Sequence, residues 1–157
     1  MKKIIAVIPV LLILIYSCGG SQPSDTNKTE TPTADNTSGN PSYDSSRGEG
    51  KFTHVDVSPA LDAAKAESGN KVYSVKCSSC HKLTDEKLVG PGWAGVTSRH
   101  TAEWIMNFST NTDAMIDKDP KAQAMLEICL VRMPNQNLAD EEARDVYEFM
   151  RKNDGVK

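Results

Sequence analysis

The sequence predicts an all-α domain of about a hundred residues preceded by a long unstructured lead. Three observations carry that prediction. No segment alternates apolar and polar residues as a half-buried strand does. Several stretches in the C-terminal two thirds repeat apolar residues at helical spacing between capping signals. The whole chain has 157 residues, only 6% of them aromatic, and a net charge of −3. That fits one small domain, and without a dense run of Lys or Arg it gives no footing for nucleic-acid binding.

The first seventeen residues read as an export signal. Lys2 and Lys3 precede "IIAVIPVLLILIY" (Ile4 to Tyr16), an apolar core interrupted by Pro9 and too short to span a bilayer comfortably as a helix. Ile15-Tyr16-Ser17-Cys18 resembles a bacterial lipobox, although Tyr16 is bulkier than that pattern prefers. The resemblance implies lipidation of Cys18, making this a membrane-anchored lipoprotein of the cell envelope that faces the periplasm. An ordinary cleaved signal with an incidental cysteine is the alternative. Residues 18–56, with "SQPSDTNKTETPTADNTSGNPSYDSSRGEG", have almost nothing to bury and read as a lipidated cysteine on a disordered tether. The folded domain is then 57–157.

Within the domain, Ser58-Pro59 suggests an N-cap and first helical position. Leu61, Ala64, Ser68, Val72 and Val75 follow on one helical face. Gly69 lies inside that pattern, where it weakens a helix by about 1 kcal/mol relative to Ala, so a closely crossing helix is expected there, with Tyr73 one turn on. "TAEWIMNF" (101–108) predicts a short second helix. Asp119-Pro120 caps a third that runs to about Arg132, where Pro134 stops it. "DEEARDVYEFMRKN" places acids in its first turn and bases in its last, as the helix dipole favours, with Ala143, Val146, Tyr147 and Met150 as its apolar stripe.

"VKCSSCHKL" carries the chemistry. Cys77, Cys80 and His81 make the C-x-x-C-H pattern for covalent haem attachment. Two cysteines at that spacing near a helix end reach the two vinyl groups of one porphyrin, and the adjacent histidine becomes the proximal iron ligand. A thioredoxin-like site needs a βαβ setting that the sequence lacks. A zinc site needs a second pair of ligands, and Cys129 is the domain's one further thiol.

One C-x-x-C-H after an N-terminal helix, a Gly-Pro loop ("GPG", Gly90 to Gly92), a Met-Pro (Met133-Pro134) and a C-terminal helix resemble the small class I cytochromes c with a single haem c. The resemblance implies N- and C-terminal helices that cross at Gly69, Tyr73 and Tyr147, around one covalently bound haem. It implies that the Pro91 carbonyl orients the His81 imidazole. The wording of "LVGPGWAGVTSRHTAEWI" and of the C-terminal stretch is most similar to cytochromes that accompany nitrous oxide reductase.

The sixth iron ligand comes, by the same resemblance, from the segment leading into the last helix, where Met133 stands. Met106, Met115, Met125, Met150, His54 and His100 are its rivals. Met125 and Met150 fall on helical stripes, Met115 in a polar stretch, and both histidines at positions expected to be exposed. Copper is disfavoured because a blue-copper centre wants two histidines besides its cysteine and methionine. Cys129 then reads as helix packing. Trp93 and Arg99 are candidate partners for a haem propionate. Lys82 and Lys87 flank the expected haem edge, but Asp85 and Glu86 between them leave no clear steering field.

The function expected is single-electron transfer by a monomer, not catalysis, from a membrane-bound donor to an exported reductase or oxidase. Nitrous oxide reductase is the acceptor the resemblance favours. A haem enzyme or gas sensor with an open sixth position is the alternative.

Overall fold

A computed structural model describes residues 43–157. Cys18, the signal peptide and the tether up to residue 42 lie outside the described residues. Six α-helices follow: α1 (Ala63–Val72), α2 (Val96–Arg99), α3 (Ala102–Thr110), α4 (Thr112–Lys118), α5 (Pro120–Cys129) and α6 (Asp140–Asn153). Among the described residues there is no strand, only an isolated bridge between His81 and Lys87. The all-α expectation is met. No helix among them is long and apolar enough to cross a membrane.

Helix α1 starts at Ala63, later than Ser58-Pro59 suggests. Asp62 is the N-cap, its carboxylate accepting the Lys65 N–H at 3.0 Å. Ser58 and Pro59 are held off the helix because their carbonyls accept Nη2 of Arg151, at 2.7 and 3.1 Å. The face also differs from the expected one: Ala66 and Gly69 are buried, whereas Ala64, Ser68 and Val75 are exposed. Gly69 decides this. A Cβ there would collide with the Asp145 carbonyl and Phe149 Cβ of α6, so the two helices touch backbone to backbone at the one residue that allows it. Tyr73 meets Phe149 across this crossing, ring centroids 5.4 Å apart, so Phe149 rather than Tyr147 is the aromatic against it. Tyr147 is buried on α6 beside Arg144.

At its C-terminal end α1 widens into a π-turn over Tyr73–Cys77, closed by the Ser78 N–H on the Tyr73 carbonyl at 2.9 Å. The extra residue in that turn, together with the tight turn after it, sets the orientation of Cys77, Cys80 and His81. Helix α5 ends earlier than Arg132, because Leu130 takes a left-handed conformation (φ 59°) and breaks the helix before Pro134 is reached. That releases 130–139 as an irregular segment containing Met133. Helix α4 carries no strong sequence signal, being short and mostly polar.

The boundary between tether and domain also moves. Residues 43–56, assigned to the tether by composition, lie along α3 and α4. Fully buried Asn107 accepts the Phe52 N–H and donates to the Arg47 and Phe52 carbonyls, each at 2.9 Å. The Glu49 N–H lies on Met115 Sδ at 2.9 Å, Glu103 accepts the Val55 N–H at 2.8 Å, and Tyr43 donates to buried Asp119 at 2.8 Å. The segment is held by backbone hydrogen bonds to side chains of the domain, which an apolar count does not register.

Candidate haem-binding site

A cavity of about 570 Å³ lies between the π-turn, the 90–95 loop, α2, α3, α5, α6 and the 130–139 segment. Cys77, Cys80, His81, Pro91, Trp93, Arg99 and Met133 all border it, so every site residue expected within the domain comes to one place. A smaller cavity beside it is bordered by Cys80, His81, Met125, Cys129 and Met133.

Each wall has a local cause. The Cys80 and His81 N–H groups both donate to the Cys77 carbonyl, at 3.0 and 2.9 Å, which folds the C-S-S-C-H stretch into one tight turn. Tyr73 OH donates to the His81 carbonyl at 2.8 Å. His81 Nδ1 bonds the Pro91 carbonyl oxygen at 2.9 Å, the contact the Gly-Pro loop led us to expect. With Nδ1 committed, Nε2 is the nitrogen left for a metal. A Cβ at Gly90 would run into the imidazole, so glycine there lets the loop close on the ring. Burial pushes the His81 imidazole below its usual basicity, which favours the neutral ring a metal ligand needs, and the Pro91 hydrogen bond opposes that shift. Cys77 is free and buried, and burial pushes its thiol up to about 11.

The rival ligands separate by position. Met115 is fully buried in α4, with its sulfur against the Glu49 N–H, and it does not border the cavity. It is not the loop residue the sequence suggested. Met106 is buried in α3 and also stands away from the cavity. His54 is exposed and pairs with Asp56 at 3.0 Å. Met125, Met150 and His100 do border it. Cys129 ends α5, half-buried, and faces the smaller cavity. Among the described residues no group of three or more His, Cys, Asp or Glu gathers at metal-binding distance.

Both expected propionate partners border the cavity. Arg99 donates to the Ala94 and Gly92 carbonyls, at 2.6 and 3.4 Å. Trp93 is buried between Tyr73 and His81, ring centroids 4.9 and 5.6 Å away. Sequence reasoning missed Trp104 and misplaced His100. Expected at the surface, His100 stacks on Trp104 with centroids 3.9 Å apart and planes 16° from parallel. Both rings border the cavity, and His100 Nδ1 and Trp104 Nε1 are buried without a hydrogen-bond partner in the protein. The spacing of four residues was the one available signal. An unpaired indole N–H beside an unpaired imidazole nitrogen at an apolar cavity fits a large prosthetic group that carries acceptor oxygens.

The cytochrome c family matches residues 66–154, more than half of the chain and all the walls just described. The chain belongs to the cytochrome c family. Membership implies a covalently bound haem c, and the residues around the cavity fit that group. The fold is similar to a cytochrome c from Rhodothermus marinus at a TM-score of 0.65 and 30% identity, covering 67% of this chain and 90% of that one. An engineered form of the same R. marinus protein, bound to a carbene intermediate, is similar at a TM-score of 0.61 and 30% identity, over the same shares. A stretch of 49 residues is 37% identical to the cytochrome c-type cyt cy of Rhodobacter capsulatus, covering 31% of this chain. That stretch spans a quarter of the Rhodobacter protein's length.

Proposed function

We propose that this cytochrome c is an exported, lipid-anchored carrier of single electrons. Cys77 and Cys80 form the thioether links, His81 Nε2 and Met133 Sδ ligate the iron, and Cys18 carries the lipid. The haem supplies a one-electron couple at the iron. Pro91 fixes the imidazole, Met133 fills the sixth position, and the apolar walls exclude water. The observation that carries this reading is that His81, held by Pro91, and Met133, freed by the early end of α5, border the same cavity from separate segments. Thioether ligation favours electron transfer over chemistry on exogenous ligands. A lipidated Cys18 and the residues after it would let the domain reach both a membrane-bound donor and an exported reductase or oxidase. By sequence resemblance the favoured acceptor is nitrous oxide reductase.

Replacing Met133 tests the ligand set. Met133→His is expected to lower the midpoint potential and alter the visible spectrum of the holoprotein. Met133→Ala is expected to let the reduced protein bind carbon monoxide at neutral pH, which the wild type resists. Unchanged spectrum and potential in Met133→His would remove Met133 as the ligand. Ready binding of carbon monoxide by the wild type would favour a gas sensor or haem enzyme instead.

A further inference from the structure

We propose that Arg132 is the positioning residue of the sixth iron ligand: it ties the Met133 segment to α4 and so keeps the sixth position closed to outside ligands. The inference rests on the Met133 reading above and adds what holds that methionine in place. Left-handed residues bracket the segment, Leu130 (φ 59°) at its start and Asn137 (φ 49°) near its end. Among the described residues, no backbone group of 131–138 bonds to another backbone group. The Asn137 N–H donates to Asn135 Oδ1 and the Gln136 amide to the Pro134 carbonyl, so those bonds stay inside the segment. Met133 and Leu138 are half-buried against the core, but apolar contact is non-directional and does not fix where along the chain it forms.

Arg132 supplies the directional contact. Its Nε donates to Asp113 Oδ1 at 3.1 Å, and its Nη2 donates to the Asp113 carbonyl at 3.1 Å and to Asp117 Oδ1 at 2.7 Å. Asp113 and Asp117 stand one turn apart on α4 and face the same way. Helix α4 is itself anchored through Met115 and Ile116, both buried. One planar fork therefore spans a turn of a fixed helix and pins the backbone immediately before Met133. A lysine is a flexible point charge and cannot hold all three acceptors in one geometry.

Magnitude decides where the effect shows. Arg132, Asp113 and Asp117 are all exposed, and exposed ion pairs contribute little against the stability of a whole domain. The same contribution is large against the cost of opening one segment that has few other directional bonds. Its loss should raise the open fraction of the sixth position by about fivefold. An outside ligand reads that fraction, because its apparent affinity scales with the population able to receive it.

The experiment is a titration of the ferric holoprotein with imidazole, followed in the visible spectrum, with haem content measured independently. R132Q is expected to bind imidazole about fivefold more tightly than wild type, and D113N/D117N to match it. Wild type in about 1 M salt should move towards R132Q, because exposed charges are screened there, while R132Q itself stays unchanged. M133A, with no thioether left to position, should bind more tightly still, and adding R132Q to it should change nothing. Equal affinities in wild type and R132Q overturn the proposal while leaving the Met133 reading standing. So does an R132Q effect as large in the M133A background, since it would act without the methionine. M133A binding imidazole no better than wild type overturns both, as does a protein without covalent haem. Should R132Q not fold, the salt titration of wild type decides, and an unchanged affinity there overturns the proposal.

Discussion

At the scale of single residues, legibility followed the sequence span of the chemistry. Covalent attachment needs two thiols and an imidazole within one turn, so Cys77, Cys80 and His81 can be read as a word. The Pro91 contact was readable too, because the loop is short and its glycine lets it close on the imidazole. His100 and Trp104 were not, since their importance arises where α2, α3 and α5 enclose a cavity. Asn107 is the same kind of residue. It is fully buried in α3 and bonded to the backbone of Arg47 and Phe52, so its value depends on a segment that looks like linker. Asn107→Ala leaves those backbone groups to find water, and should cost about 1–3 kcal/mol of holoprotein stability. Urea unfolding measures the loss, and limited proteolysis should show cleavage within 43–56 at lower protease concentration. If neither changes, the hydrogen bonds do not hold that segment.

At the scale of elements, a helix was readable where its charges agree with its packing. Helix α6 has Asp140, Glu141 and Glu142 in its first turn and Arg151 and Lys152 in its last, and it forms over the span those charges mark. Helix α1 was misread at its start because Ser58-Pro59 is a good local cap that loses to a tertiary one. Buried Glu148 accepts the Asp62 N–H at 2.8 Å and pairs with Arg151 at 2.6 Å, while Arg151 draws in the Ser58 and Pro59 carbonyls. Helix α4 was missed because seven mostly polar residues carry no usable period. The start of α6 gives a pH prediction. Glu142 accepts the Ala139 N–H at 2.9 Å and pairs with Lys76 of the π-turn at 3.0 Å. That hydrogen bond first, and then Lys76, lowers the Glu142 carboxyl below its ordinary value. A lowered folded-state value means stability fully present above the unfolded value and lost as pH falls through the folded one. Glu142→Gln should therefore destabilise the protein near neutrality and make the acid side of its stability curve shallower. Curves for the two proteins that stay parallel down to the lowest pH would argue against this role.

At the scale of the whole molecule, the face around the cavity mouth decides how partners meet the haem. Val89 and Val131 border the smaller cavity and are exposed, and their chain neighbours Leu88, Ile128 and Leu130 expose apolar surface as well. Three of the nearby cations are paired within the domain, Lys82 with Glu86 at 2.7 Å, Lys76 with Glu142 at 3.0 Å, and Arg132 with Asp113 and Asp117 at 3.1 and 2.7 Å, which leaves exposed Lys87 beside Leu88. The mixed charge at Lys82 and Glu86 was visible in the sequence. The apolar rim was not, because Leu130 and Val131 reach the surface only through the left-handed end of α5. A rim of this kind favours encounter by apolar contact rather than long-range attraction. Electron exchange with a physiological partner should then change by less than about threefold between roughly 10 and 150 mM salt, whereas field-steered association falls steeply over that range. Val131→Glu should slow exchange at both salt concentrations with the midpoint potential unchanged, because the charge must be desolvated on docking. Stopped-flow oxidation of the reduced holoprotein reads both effects. A steep salt dependence in the wild type would mean that charges outside this rim guide the encounter, and equal rates for Val131→Glu would place the contact elsewhere.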